Sequence, residues 1–226
     1  MKKILSSILV FTLIVLLCCS CNDAPAYGEP FDATITIDTT GHILHDIEIV
    51  VKDYGIITLT LDETLAPITV QNFLKLANEG FYDGLTFHRI MSGFMVQGGD
   101  PNGDGTGSSS EKIKGEFYAN GVENDLLHKR GIISMARSGE NPWYGITAEM
   151  ANNSASCQFF IMHVDYPYLD GDYAAFGWVT SGMEVIEAIC ADMTSASYLN
   201  DYYYGTLMGF LKNEAMPIIK TVRIVD

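Results

Sequence analysis

Nine short runs of β-branched or alternating residues, each bounded by turn-forming residues, constrain this chain more than any other feature. They cover residues 33–37, 47–51, 56–61, 86–90, 94–98, 131–136, 157–162, 173–179 and 218–225. Runs of this length are strand signals, and Lys52-Asp53-Tyr54-Gly55 between the second and third is a hairpin connection. Only two segments carry a helical period. Pro67 opens the first, Val70, Phe73, Leu74 and Ala77 share one face, and Gly80 stops it. Ser181-Gly182-Met183-Glu184 reads as a capping box ahead of Val185, Ile186 and Ile189. Many short strands with few helices predict a closed β-barrel. Residues 195–216, rich in Tyr and apolar side chains, leave room for a third short helix.

The N-terminus carries an address rather than a fold. Met1-Lys2-Lys3 precedes an apolar run from Ile4 to Leu17, too short to span a bilayer and suited to a cleaved secretory signal. Leu16-Leu17-Cys18-Cys19-Ser20-Cys21-Asn22 resembles the lipobox of bacterial lipoproteins, in which a cysteine is acylated and becomes the new N-terminus. Ser20 is the small residue that favours Cys21 as that position, with Cys19 the alternative. Residues 1–20 are therefore expected to be a signal peptide, 21–32 a Pro- and Gly-containing tether, and 33–226 the folded domain. The expected location is extracytoplasmic, at a bacterial membrane, held by acyl chains.

Composition narrows the partners. With 226 residues, 48% of them apolar, the chain can bury one full core. Its net charge is −15, and loss of Lys2 and Lys3 with the leader makes it −17, so nucleic acid is excluded as a natural partner. A domain so charged stands off an anionic bilayer. Only Cys157 and Cys190 remain beyond the anchor, too few for a disulfide scaffold, and the sequence leaves open whether they pair.

Several motifs fail in context. Asp100-Pro101-Asn102-Gly103-Asp104-Gly105 and then, after five residues, Glu111 fit a calcium loop, but a strand-like run leads in where a helix belongs. Gly103, Gly105 and Gly107 are followed by no helix that could cradle a phosphate. His42, His45, His88, His128 and His163 include no pair at helical metal-ligand spacing, so no metal is expected. No Ser has the setting of a hydrolase elbow, and residues 138–151 around Trp143 read as a surface loop. What remains odd is a polar pair, Arg89 and Gln97, inside apolar strand runs beside Phe94, Met95, Phe159 and Phe160.

Five blocks in order then carry a resemblance. They are Phe87-His88-Arg89-Ile90, Gly93-Phe94-Met95-Val96-Gln97-Gly98-Gly99-Asp100-Pro101, Ile133-Ser134-Met135-Ala136, residues 153–161 ending in Gln158-Phe159-Phe160-Ile161, and Leu169-Asp170-Gly171 with Phe176-Gly177. Together they resemble the cyclophilin family of peptidyl-prolyl cis-trans isomerases over about residues 46–191, with the last strand run following. The resemblance implies a mainly β fold, an eight-stranded antiparallel barrel capped by two α-helices. It implies that Arg89 is the catalytic arginine, that Gln97 bonds the substrate backbone, and that Phe94, Met95, Phe160 and Leu169 wall a proline pocket. Ala136, Arg137 and Gln158 would line the substrate groove, with Tyr168 and Tyr173 beside it. Arg137 stands where many members have Asn, Tyr168 where cyclosporin-sensitive members have Trp, Tyr173 where many have His, and Cys157 where Ser or Gly is usual.

Such a protein would act on proline-containing polypeptides; a monomer is expected, and the sequence leaves the oligomeric state open. Rotation about a bond requires no nucleophile, general base, metal or cofactor, and none is expected. The alternative of another class is a peptide-binding or holdase module on the same fold, which would have no need of Arg89 in a pocket. The anchor is separately testable: Cys21→Ser should release the protein from the membrane fraction or leave its leader uncleaved. Normal processing and attachment in that variant would move the acylated position to Cys19.

Overall fold

The computed structural model describes residues 37–193 and 209–225. The leader, Cys21, the tether and nearly all of the run at 33–37 lie outside them, as does most of 195–216. Among the described residues eight strands form: β1 (Leu44–Val51), β2 (Gly55–Asp62), β3 (Thr86–Met91), β4 (Met95–Asp100), β5 (Ile132–Met135), β6 (Phe159–Met162), β7 (Ala175–Ser181) and β8 (Ile219–Ile224). All pair antiparallel, in the order β3-β4-β6-β5-β7-β2-β1-β8. Each of the other eight strand runs thus becomes a strand, and the 52–54 connection makes the β1–β2 hairpin.

The expected full closure is replaced by a short seam between the ends of the order. One isolated bridge, Thr86 to Ile218, joins the start of β3 to the residue before β8. Around it Phe87 N donates to Pro217 O at 2.9 Å, and Ile219 N to Leu85 O at 2.7 Å. The described residues also hold three helices rather than two: α1 (Pro67–Asn78), α2 (Ala148–Asn152) and α3 (Met183–Met193). The short α2 lies in the expected loop at 138–151, started by Thr147 Oγ1 accepting from Met150 N. Trp143 in the same loop is 96% exposed.

Alternation decides the core. Ile47 and Ile49 on β1 oppose Leu59 and Ile57 on β2, and all four are fully buried. α1 lays Val70, Phe73, Leu76 and Ala77 onto the sheet, and the Phe73 ring meets Tyr82 at 4.9 Å and Phe159 and Phe176 at 5.5 Å. α3 buries Val185, Ile186 and Ile189 on the same pattern. Its start departs from the sequence reading. β7 runs through Ser181, so Gly182, with φ +89°, makes the junction in place of a capping serine. A side chain there would strike Ile56 O at 2.3 Å. Cys157 and Cys190 are buried as thiols and not bonded to each other.

α1 has an unusual cap. Ala66 precedes it and offers no side-chain acceptor, leaving the first-turn amides without partners from their own helix. Glu116, nearly fifty residues on and buried, supplies the acceptor: Ile68 N donates to its Oε1 at 3.0 Å, while Thr69 N and Thr69 Oγ1 donate to its Oε2 at 2.7 Å. A carboxylate at a helix N-terminus also meets the positive end of the helix dipole. Glu116→Ala should therefore destabilise the domain by about 3 kcal/mol, since buried donors lose a charged acceptor. Urea denaturation measures this, and a change below about 0.5 kcal/mol would show that water replaces the carboxylate.

Candidate active site

A paired irregularity in β3 and β4 aims the central residue. Phe87 pairs with Gly98 but Arg89 with Gln97, so His88 is an extra residue on β3, offset by Gly99 on β4. In a regular strand Phe87 and Arg89 would share a face; the bulge puts them on opposite faces. Phe87 turns to the core, where its ring meets Phe159 at 6.0 Å. Arg89 turns outward with Gln97, and Gln97 in turn opposes Phe160 across β4 and β6.

Arg89 is held, not loose. Its Nη1 donates to Gln97 Oε1 at 3.2 Å and its Nη2 to Met91 Sδ at 3.2 Å. Gln97 Nε2 donates to Gln158 Oε1 at 2.9 Å, and Gln158 Nε2 to Gly107 O at 2.8 Å. The loop bearing that carbonyl is fixed by Asp100, whose carboxylate accepts from Asn102 N at 2.8 Å and Gly105 N at 2.5 Å. The calcium-like motif thus spends its first carboxylate on its own backbone, and Glu111 pairs with Lys75. Burial lowers the Arg89 pKa from its ordinary value, opposed by nearby Tyr173, and a guanidinium remains charged through any such shift.

The group opens onto a pocket of about 240 Å³ lined by Arg89, Gln97, Phe94, Met95, Phe160, Leu169, Ala136, Arg137 and Tyr173. Nine of the eleven catalytic and substrate-binding residues expected from the sequence therefore line it. Gln158 lines an adjoining polar recess of about 200 Å³ that also includes Gln97, Ala136 and Arg137. Tyr168 does not join them. It is 83% exposed, its ring against Tyr166 at 5.5 Å, because the 167–169 turn directs Leu169 rather than Tyr168 to the pocket. Arg137 folds back: its Nε donates to Asp172 O at 2.9 Å, and its guanidinium lies 4.8 Å from the Tyr173 ring and 5.3 Å from Phe117.

Two contributors went unassigned in the sequence. Phe210 also lines the pocket, with Arg89 Cζ 5.8 Å from its ring, and belongs to the aromatic stretch that had no assigned role. His128 stacks on Phe160 at 6.0 Å and is locked by Asp170 Oδ1 at 3.0 Å and Ser134 Oγ at 3.1 Å. No local pattern marks it, since its partners are 42 and 6 residues away.

His88, the bulge residue, is fully buried. Burial pushes its imidazole down from 6.5 to about 4, Asp100 opposing the shift and Arg89 reinforcing it. The unfolded chain takes up this proton near 6.5 and the folded chain only near 4, so the stability present above 6.5 falls as pH drops toward 4. His88→Phe should remove about 2 kcal/mol of the stability lost between roughly pH 7 and 4.5. Denaturant titrations across that range test it, and an unchanged slope would assign the acid sensitivity to other groups.

The geometry agrees with what comparison shows. Residues 46–202 match the family model for cyclophilin type peptidyl-prolyl cis-trans isomerases. Peptidyl-prolyl cis-trans isomerase B of Bacillus subtilis is 44% identical over 133 residues, 59% of this chain and 82% of that protein. A Helicobacter pylori peptidyl-prolyl cis-trans isomerase is 43% identical over 137 residues, 60% of this chain and 74% of its own length. The crystal structure of a Cryptosporidium parvum cyclophilin superimposes with a TM-score of 0.64 at 28% identity, covering 81% of this chain and 99% of that one. The same parasite protein in the presence of the dipeptide ala-pro gives 0.62 at 28% identity, covering 80% and 99%. Strand order, pocket and sequence together place this chain in the cyclophilin-type peptidyl-prolyl cis-trans isomerase family.

Proposed function

We propose that the pocket binds a prolyl ring and that Arg89 accelerates rotation of the preceding X-Pro bond in extracytoplasmic polypeptides. One observation carries this reading: a guanidinium fixed by Gln97 and Met91 at an otherwise largely apolar pocket. An X-Pro bond rotates over a barrier of about 18–20 kcal/mol because twisting forfeits amide resonance. In the twisted state the prolyl nitrogen regains its lone pair and becomes a hydrogen-bond acceptor. A donor aimed at that nitrogen binds the twisted state better than either planar one, which lowers the barrier.

The remaining residues divide the substrate. Phe94, Met95, Phe160 and Leu169 clamp the ring by apolar contact, equally in both planar states. Gln97 and the Ala136–Arg137 backbone hold the chain before the proline, so rotation is confined to one side of the bond. Acylation of Cys21 would keep this domain at a membrane outside the cytoplasm, with the lipobox-like leader as its support.

Arg89→Ala should lower kcat/KM by about 10²–10³, the loss typical of one preorganised donor. Affinity for a proline peptide should change far less, because ring burial is common to ground and transition states. Activity should also stay flat between about pH 6 and 9, since a guanidinium keeps its charge and no proton is transferred. A protease-coupled peptide assay with binding measured separately decides between this and a binding module. A folded Arg89→Ala protein at the parent rate would remove Arg89 from the mechanism, and a parent protein that binds the peptide without accelerating its isomerisation would be a binding module.

A further inference from the structure

The residue beside Arg89 that the family match does not reach is Phe210. The match ends at residue 202, yet the Phe210 ring lines the pocket. Its backbone brings it there. Ile90 N donates to Gly209 O at 2.7 Å and Leu211 N to His88 O at 3.0 Å, so Arg89 and Phe210 face each other in an antiparallel bridge. The bonds fall on either side of the pair, which is the arrangement that brings opposed side chains closest.

Three neighbouring residues restrict the segment and the ring. Gly209 has φ +70°, and a side chain there would meet Met91 Cγ at 2.4 Å and Ile90 O at 2.5 Å, so only glycine lets this segment lie so near β3. Leu211, the next residue after the phenylalanine, is buried and bonded to His88 O, so the segment is pinned at both neighbours. Gly105 is the other neighbour of the ring: a Cβ on it would be 3.0 Å from Phe210 Cε1. The ring has little freedom, and Arg89 Cζ lies 5.8 Å from its centroid, within the roughly 6 Å reach of a cation–π interaction.

We infer that Phe210 is a positioning residue for Arg89. This rests on the assignment of Arg89 as the donor to the twisted bond. Gln97 and Met91 orient the guanidinium through two of its nitrogens, and the Phe210 ring adds an apolar, electron-rich wall beside it. That wall holds the charge in place before substrate arrives and keeps water from one side, both of which strengthen a donor at the moment charge develops.

Acting through Arg89 has consequences that a pocket wall would not share. Phe210→Ala should lower kcat by about tenfold, the scale of a partly desolvated cation–π contact, and leave peptide Kd within about twofold. Phe210→Tyr, which keeps the ring, should restore the parent kcat. Phe210→Leu keeps the segment packed without a ring and should resemble Phe210→Ala, so it decides the question if the alanine variant loses its fold. In an Arg89→Ala background Phe210→Leu should cost nothing more.

Three outcomes would overturn the inference: an equal loss from Phe210→Leu with and without Arg89, a loss that appears in Kd rather than kcat, or a leucine variant at the parent rate. An Arg89→Ala protein at the parent rate removes the assignment beneath it as well, whereas unchanged Phe210 variants beside an inactive Arg89→Ala protein remove this inference alone.

Discussion

Arg89 stands across from Gln97, and Gln97 stands across from Phe160; those two strand pairings hold the site together. A slip of one residue in either would send a pocket side chain into the core and a core side chain into the pocket. The register is secured from the core side. Phe87 and Phe159 are both fully buried and touch each other, and their strand neighbours Gly98 and Gly99 leave the room those rings require. The same rings that stabilise the core beneath the sheet thus determine where the guanidinium points. The bulge at His88 converts between the two faces, and its cost is a buried imidazole kept neutral at ordinary pH.

Around that frame the polar groups work by displacement from a distance. Asp100 gathers the amides of its own loop, the loop presents Gly107 O to Gln158, Gln158 orients Gln97, and Gln97 orients Arg89. Each link shares a group with the next, so the bonds from the loop to the guanidinium support one another. On the opposite wall His128, held by Asp170 and Ser134, supports Phe160, and Tyr173 meets that ring edge-on at 5.7 Å. In a protein with a formal charge of −15 the pocket lining holds no carboxylate, and its charges are the guanidiniums of Arg89 and Arg137.

What could be read beforehand follows the range of the interactions. Strands β1 to β8 and the long helices announce themselves through local period, so they were legible in the order of residues. Most of the pocket was legible too, because its walls come from sequence blocks with a recognisable pattern. Phe210 was not, since only a backbone bridge to Arg89 gives it a place, and Glu116 was not, since it caps a helix nearly fifty residues earlier. Tyr168 and Leu169 are adjacent, and only the sense of a three-residue turn separates the exposed ring from the pocket wall. Ser181 showed the opposite failure: a capping pattern was present, but the strand before it extended one residue into the motif.

The segment 209–211 also settles a difficulty posed by an open strand edge beside a peptide-sized pocket. Without it β3 would present bare N–H and C=O groups at 88 and 90 beside the pocket, a template onto which an extended client could zip as an extra strand. Such a client would be held by its backbone, indifferent to proline, and slow to leave. By spending its own residues 209 and 211 on those groups, the chain closes this stretch of β3 to strand addition and leaves recognition to the pocket itself.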